Sequence, residues 1–244
     1  MLKTCRKEKQ MNNKIKNMTA SIVLKCICIA AVIYGCTTIS EGWSTVTKFT
    51  TLSNIGIAVA VLIVLIDEIR VCEGKETRHS QGKYIFKFMM TIAILITFLL
   101  FLAILAPTSD KGFVGAYMNN NCGSLAHHFI APLAAIADFF IFDRRYEPKI
   151  SHVFASLIVP VVYVVFIVIL AGTGYRWPGG MYAPYNFLNF GAPVGWWGFD
   201  LSQMGSTSLG IGVGYLIFGL MIIFALLGLC MIAIKKQIRK TITK

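Results

Sequence analysis

Two polar clusters interrupt an otherwise apolar chain, and both hold groups that can move protons. Residues 48–54 read KFTTLSN and set Thr50, Thr51, Ser53 and Asn54 at the head of a long apolar run. Residues 123–143 read GSLAHHFIAPLAAIADFFIFD, with His127 and His128 near the start and Asp138 in the apolar body. A hydroxyl is a weak nucleophile until a general base removes its proton. Histidine, with an ordinary pKa near 6.5, suits that task at neutral pH. The oxyanion of an acyl transfer then needs donors, and Asn54 or amides of a later aromatic segment suit that role. A plainer reading stands beside this one. Threonine and serine in a helix often bond a carbonyl of the preceding turn, and a histidine at an interface often serves as a solvated cap.

The elements that must position these groups follow from composition. The chain has 244 residues, of which 56% are hydrophobic and only 14% charged. An ordinary soluble domain carries about 25% charged residues, so this is an integral membrane protein. Its net charge of +12 does not point to nucleic acid, because the Lys and Arg fall in short segments between apolar runs. Six stretches have the roughly 20 apolar residues a bilayer requires: 21–40, 47–67, 85–106, 124–142, 152–172 and 209–234. The expected fold is therefore all-α and polytopic. A basic segment at 1–20 precedes the six-helix domain of 21–234, and a basic tail at 235–244 follows it.

Charge alternates between the connecting segments. Residues 1–20 hold six Lys and Arg, 41–46 none, and 107–123 only Lys111. Arg70, Lys75, Arg78 and Lys83 follow the second run, and Arg144, Arg145 and Lys149 the fourth. The long 173–208 segment has Arg176 alone, and Lys235, Lys236, Arg239, Lys240 and Lys244 close the chain. The positive-inside rule then puts both termini in the cytoplasm. Lys25 and Lys87 are expected to snorkel to the headgroups from the cytoplasmic ends of their helices. The first apolar run is expected to be retained rather than cleaved as a signal peptide, since it contains Lys25 and completes an even bundle.

On this topology helices two and four both enter from the outer side. Thr51 and His127 each lie about four residues in, roughly 6 Å deep at 1.5 Å per residue. Residues 173–208 combine Gly and Pro with many aromatic side chains, and are expected to form a lid over that level or an interfacial belt. Asp138 lies eleven residues beyond His127, about 16 Å deeper. It is too far to orient either histidine, and is expected to pair with a hydroxyl such as that of Tyr163 or to line a polar cavity.

Three motifs carry a resemblance. KFTTLSN at 48–54, HHFIAP at 127–132 and GGMYAPYNFLNFGAP at 179–193 resemble the androgen-induced and androgen-dependent membrane hydrolases. These are six-helix proteins that cleave fatty-acid esters of hydroxy fatty acids. The chain is more similar still to uncharacterised bacterial membrane proteins related to them. The resemblance implies a catalytic threonine on helix two and a catalytic histidine on helix four. The family's Lys-Phe-x-Thr maps onto Lys48, Phe49, Thr50 and Thr51, which implies Thr51 as nucleophile. Counting back from Pro132 implies His127 as base. Thr50, Asn54, His128, Asp138 and Tyr185 are left as supporting or substrate-binding residues. The family's Tyr-Pro-Phe in the last outer loop stands here as APYNFL, a departure that bears on substrate range. The implied partners are membrane lipid and a lipid-ester substrate, with no cofactor and no metal, in the plasma membrane if the source is bacterial.

The alternative is a transporter or ligand sensor using the same polar pocket, with Asp138 and the histidines as a relay. Elsewhere the bland reading prevails. Asp67, Glu68, Glu73, Glu76 and Arg78 read as a solvated cytoplasmic cluster. His79 and His152 have no evident partner. Cys26, Cys28, Cys36 and Cys230 read as small buried hydrophobes. The glycines of 210–214 read as close helix packing.

Overall fold

The computed structural model describes residues 2–39, 42–75 and 80–242, with side chains between 17 and 241. Among the described residues, six helices are long and apolar enough to cross a membrane: Asn17–Ile39, Phe49–Cys72, Gln81–Leu105, Gly123–Ile141, Ser151–Gly172 and Val213–Thr241. Helix makes up 72% of the structure. The chain is thus a mostly helical, multi-pass membrane protein. Glu76, Arg78 and His79 lie outside the described residues.

Small residues decide how closely the spans approach. Ala31 of the first span, Ala60 of the second and Ala131, Ala134 and Ala135 of the fourth share one buried cluster with Cys28, Ile57 and Val61. Without a hydrophobic drive between helices in lipid, such close backbone approach is the main source of packing energy. A Cβ on Gly35 would stand 2.8 Å from the Cβ of His127, so that glycine admits the histidine. A larger cluster joins the third, fourth, fifth and last spans through Phe88, Ile92, Phe139, Val153, Phe224 and Met231. Of the four apolar-run cysteines only Cys28 is buried; Cys26 and Cys230 face outward.

Two spans widen where a proline follows. The fourth passes through a π-turn at Ala126–Ile130, where the Ala131 amide donates to the Ala126 carbonyl five residues back. Pro132 has no amide to offer and its ring crowds the carbonyl four residues before it, so the turn opens. The third span widens likewise at Phe101–Leu105, two residues ahead of Pro107. Single π-turns inside helices recur at functional sites.

The polar connection after the fifth span departs from an all-helical expectation. Residues 173–198 fold into short turns, and an antiparallel hairpin follows, Phe199–Gly205 paired with Ser208–Ile211. The last span therefore starts at Val213 rather than 209. Gly210 belongs to the hairpin, where its φ of +71° and the nearby Asp200 carbonyl require glycine. Gly212 and Gly214 leave room for Trp196 and Trp197 rather than for a neighbouring helix. Beneath the segment lies a cluster of Tyr163, Ile167, Trp177, Ala183, Leu188 and Val213. The 175–190 part of the region is thus packed onto the bundle by apolar burial, whereas the first hairpin strand stays exposed.

The starts of the first and third spans and the ends of the second and fourth meet through ion pairs. Successive spans run antiparallel, and both ends of the six-span bundle lie on one face, the terminal face. The polar heads of the second and fourth spans lie at the opposite face.

Candidate functional site

The second span starts at Phe49 after Lys48, whose extended backbone ends the preceding turn. Its first turn leaves several backbone groups unpaired, as every helix start does. Those groups are amides; the side chains here gather instead around a carbonyl of the same turn, that of Thr50. Ser53 Oγ and Asn54 Nδ2 each donate to it at 2.9 Å. His127 Nε2, from the fourth span, lies 3.3 Å from the same oxygen. A carbonyl opposite Nε2 makes that nitrogen the donor and leaves Nδ1 as the lone pair. Nδ1 faces the backbone of Gly35 without a formed hydrogen bond, on a residue only 2% exposed.

The hydroxyls of this turn have other partners. Thr51 Oγ1 is buried and donates to the Thr45 carbonyl at 2.9 Å, not to His127. Thr50 Oγ1 and its amide both lie 3.4 Å from the Tyr185 hydroxyl. Burial pushes the Tyr185 phenol above its ordinary value, which keeps it neutral and able to donate. Thr47 ties the aromatic segment down. Its hydroxyl accepts from Trp177 Nε1 at 2.9 Å, and its carbonyl accepts from Tyr163 at 3.2 Å. The structure therefore brings together Thr50, Thr51, Asn54, His127 and Tyr185 from three separate stretches of sequence. His128 goes elsewhere. Its ring stacks on Phe101 at 3.8 Å between centroids, and its Nδ1 is buried without a partner.

Asp138 is not near this cluster and not bonded to Tyr163. It is completely buried between two lysines, 2.6 Å from Lys25 Nζ and in contact with Lys87 Nζ. Neither lysine reaches the headgroups, since both are fully buried. Lys25 also meets Ser21 at 2.6 Å and Glu68 at 3.1 Å, and Lys87 meets Asp143 at 2.7 Å. The fourth span turns Asp138 toward the first and third spans, whereas Tyr163 faces Thr47, so Asp138 pairs with the lysines and not with Tyr163. Asp67 pairs with Lys83 and Glu68 with Lys25, so these two are interhelical partners and not a solvated cluster. Glu73 does stay exposed, with Lys75. His152 has a partner after all, the Tyr146 hydroxyl at 2.9 Å. A signal for the network was present in the sequence. Opposite charges in three spans lie within the apolar segments near the same face.

Fold and site together define a polytopic helical membrane protein with one polar histidine–threonine cluster and one buried ionic cluster. Comparison with protein-family models, curated proteins and solved structures gives no match for this chain.

Proposed function

We propose that the protein is an integral membrane hydrolase of lipid esters, of the type in which a fatty acid esterifies a hydroxy fatty acid. Thr51 is the nucleophile and His127 the base. One observation supports this most: a histidine on a widened turn of the fourth span is buried against the first turn of the second, 77 residues away in sequence. In the reaction Thr51 Oγ leaves the Thr45 carbonyl and attacks the ester carbonyl carbon, while its proton passes to His127 Nε2. The tautomer that frees Nε2 carries its proton on Nδ1, facing Gly35. The tetrahedral intermediate collapses with loss of the alcohol, which takes that proton. Water then cleaves the acyl-threonine by the same route. Tyr185, beside Thr50, donates to the developing oxyanion. Unliganded sites are often loose and tighten on binding substrate. In this reading the terminal face is cytoplasmic, the site lies in the outer half of a plasma membrane, and acyl chains stay in lipid during the reaction.

The test is covalent labelling by a fluorophosphonate together with turnover of a fatty-acid ester of a hydroxy fatty acid. Thr51→Ala abolishes both, and His127→Ala lowers turnover by about 10²–10⁴-fold with the thermal melt unchanged. Full turnover in either folded variant refutes the assignment.

A second reading, transport with Asp138 as relay, is favoured by the complete burial of that carboxylate between two lysines. Under it, folded Asp138→Asn loses flux and Thr51→Ala keeps it.

A further inference from the structure

The loop after the fourth span and the end of the last helix form an open cleft of about 390 Å³ on the terminal face. Glu147, Pro148, Lys149, Lys236, Arg239 and Lys240 line it, four cations against one carboxylate. We propose that this cleft binds the phosphate headgroup of an anionic phospholipid.

Three features support a built site. The walls are fixed before any ligand arrives. Arg239 Nη1 donates to the Tyr146 carbonyl at 2.8 Å, and buried Lys235 donates to the carbonyls of Phe139 and Phe140. These bonds clamp the last helix onto the end of the fourth span. On the other wall, Tyr146 bonds His152, and the His152 amide donates to the Lys149 carbonyl at 3.1 Å. Second, Lys149 and Lys236 are exposed and present ammonium groups from opposite walls. Basic pockets between transmembrane helices suit lipid phosphates.

Third, apolar surface continues from both walls toward the membrane. Ile150 is 59% and Phe154 69% exposed, one turn apart at the head of the fifth span. Leu229 lies two turns before Lys236 on the same stripe of the last helix and is also exposed. A soluble phosphate has no use for that surface, whereas the acyl chains of a lipid fill it. The site lies at the face opposite Thr51 and His127 and is independent of the hydrolase proposal.

Native mass spectrometry of the full chain in mild detergent, titrated with phosphatidylglycerol, phosphatidylcholine or inorganic phosphate, tests the proposal. The intact chain retains phosphatidylglycerol in preference to phosphatidylcholine, and inorganic phosphate fails to displace it. Each Lys near an anionic surface contributes about fivefold, so Lys149→Gln/Lys236→Gln weakens phosphatidylglycerol binding roughly 25-fold. Lys149→Arg/Lys236→Arg keeps it. Equal retention of both lipids, unchanged binding in the Gln variant, or displacement by inorganic phosphate at matching concentration overturns the proposal, the last result assigning the cleft to free anions.

Discussion

Replacing Asp138 by Asn asks what the buried ionic cluster does. The wild-type cluster sets Lys25 and Lys87 around Asp138, with Glu68 and Asp143 at its two ends. The variant keeps the side-chain size and removes the central charge, so two ammonium groups lose one carboxylate. Breaking a buried pair costs about 3–5 kcal/mol, because the surviving charge is left uncompensated. Here each lysine keeps a second acid, Glu68 for Lys25 and Asp143 for Lys87, which puts the expected loss near the low end. A loss of about 3 kcal/mol lowers the folded-to-unfolded ratio more than a hundredfold.

The assay is reversible unfolding in mixed micelles, followed by circular dichroism, for Asp138→Asn, Lys25→Met and the double variant. Removing both members of a pair restores part of the balance, so the double variant should cost less than the sum of the single changes by at least 1 kcal/mol, an interaction typical of charges in contact. If Asp138→Asn falls within about 0.5 kcal/mol of wild type, or the cycle is additive, the cluster does not hold the first, third and fourth spans together. Flux measured on the folded fraction of the same variant separates the two functional readings, since only the relay reading requires its loss.

Gly35→Ala should displace His127, because a Cβ there would stand 2.8 Å from the histidine Cβ; turnover should fall at least tenfold while the far-ultraviolet spectrum is kept. Pro132→Ala restores an amide where the π-turn now opens, and should return the segment to α-geometry, rotate His127 off the Thr50 carbonyl and lower turnover at unchanged helix content. Hydrogen bonds from Ser202 hold the Asp200 carboxyl below its usual range. A carboxyl lowered in the folded state stabilises above its unfolded pKa, near 3.9, and that contribution fades as pH falls through the lower folded value. Ser202→Ala should therefore shift the acid transition of hairpin amide exchange upward in pH.

The spans were legible because a bilayer imposes length and apolarity on each helix separately. The threonine–histidine cluster was legible in outline for a similar reason: depth along a helix follows from counting residues, and both groups lie near the head of their spans. Which partners they take was not. Thr51 bonding Thr45 and His127 bonding Thr50 depend on rotation about the helix axis, and that is set by Gly35, Pro132 and the neighbouring alanines together. The hairpin was hidden because its first strand, FDLSQMG, is exposed along its whole length and shows no sustained apolar–polar alternation to mark a buried face.

The misread lysines show where a one-helix argument fails. Lys25 and Lys87 each lie near a helix end, and a single helix in lipid would let them snorkel. Counted from the terminal face, Lys25 lies about 12 Å into its span, Lys87 about 9 Å and Asp138 about 4 Å. Helix tilt and a flexible lysine stem of about 6 Å cover those differences. Once a carboxylate stands at that reach on a third helix, the choice for each ammonium is between headgroup and carboxylate. The pair is favoured where the spans pack closely enough to exclude water, since the attraction strengthens as the local dielectric falls. The alanines at 31, 60, 131, 134 and 135 provide that packing, so the small residues on one set of faces and the buried charges on another form one cooperative arrangement. An alanine-to-leucine change at position 134 should then loosen the Lys25–Asp138 pair although it touches no charge, and faster amide exchange at the end of the fourth span would report it.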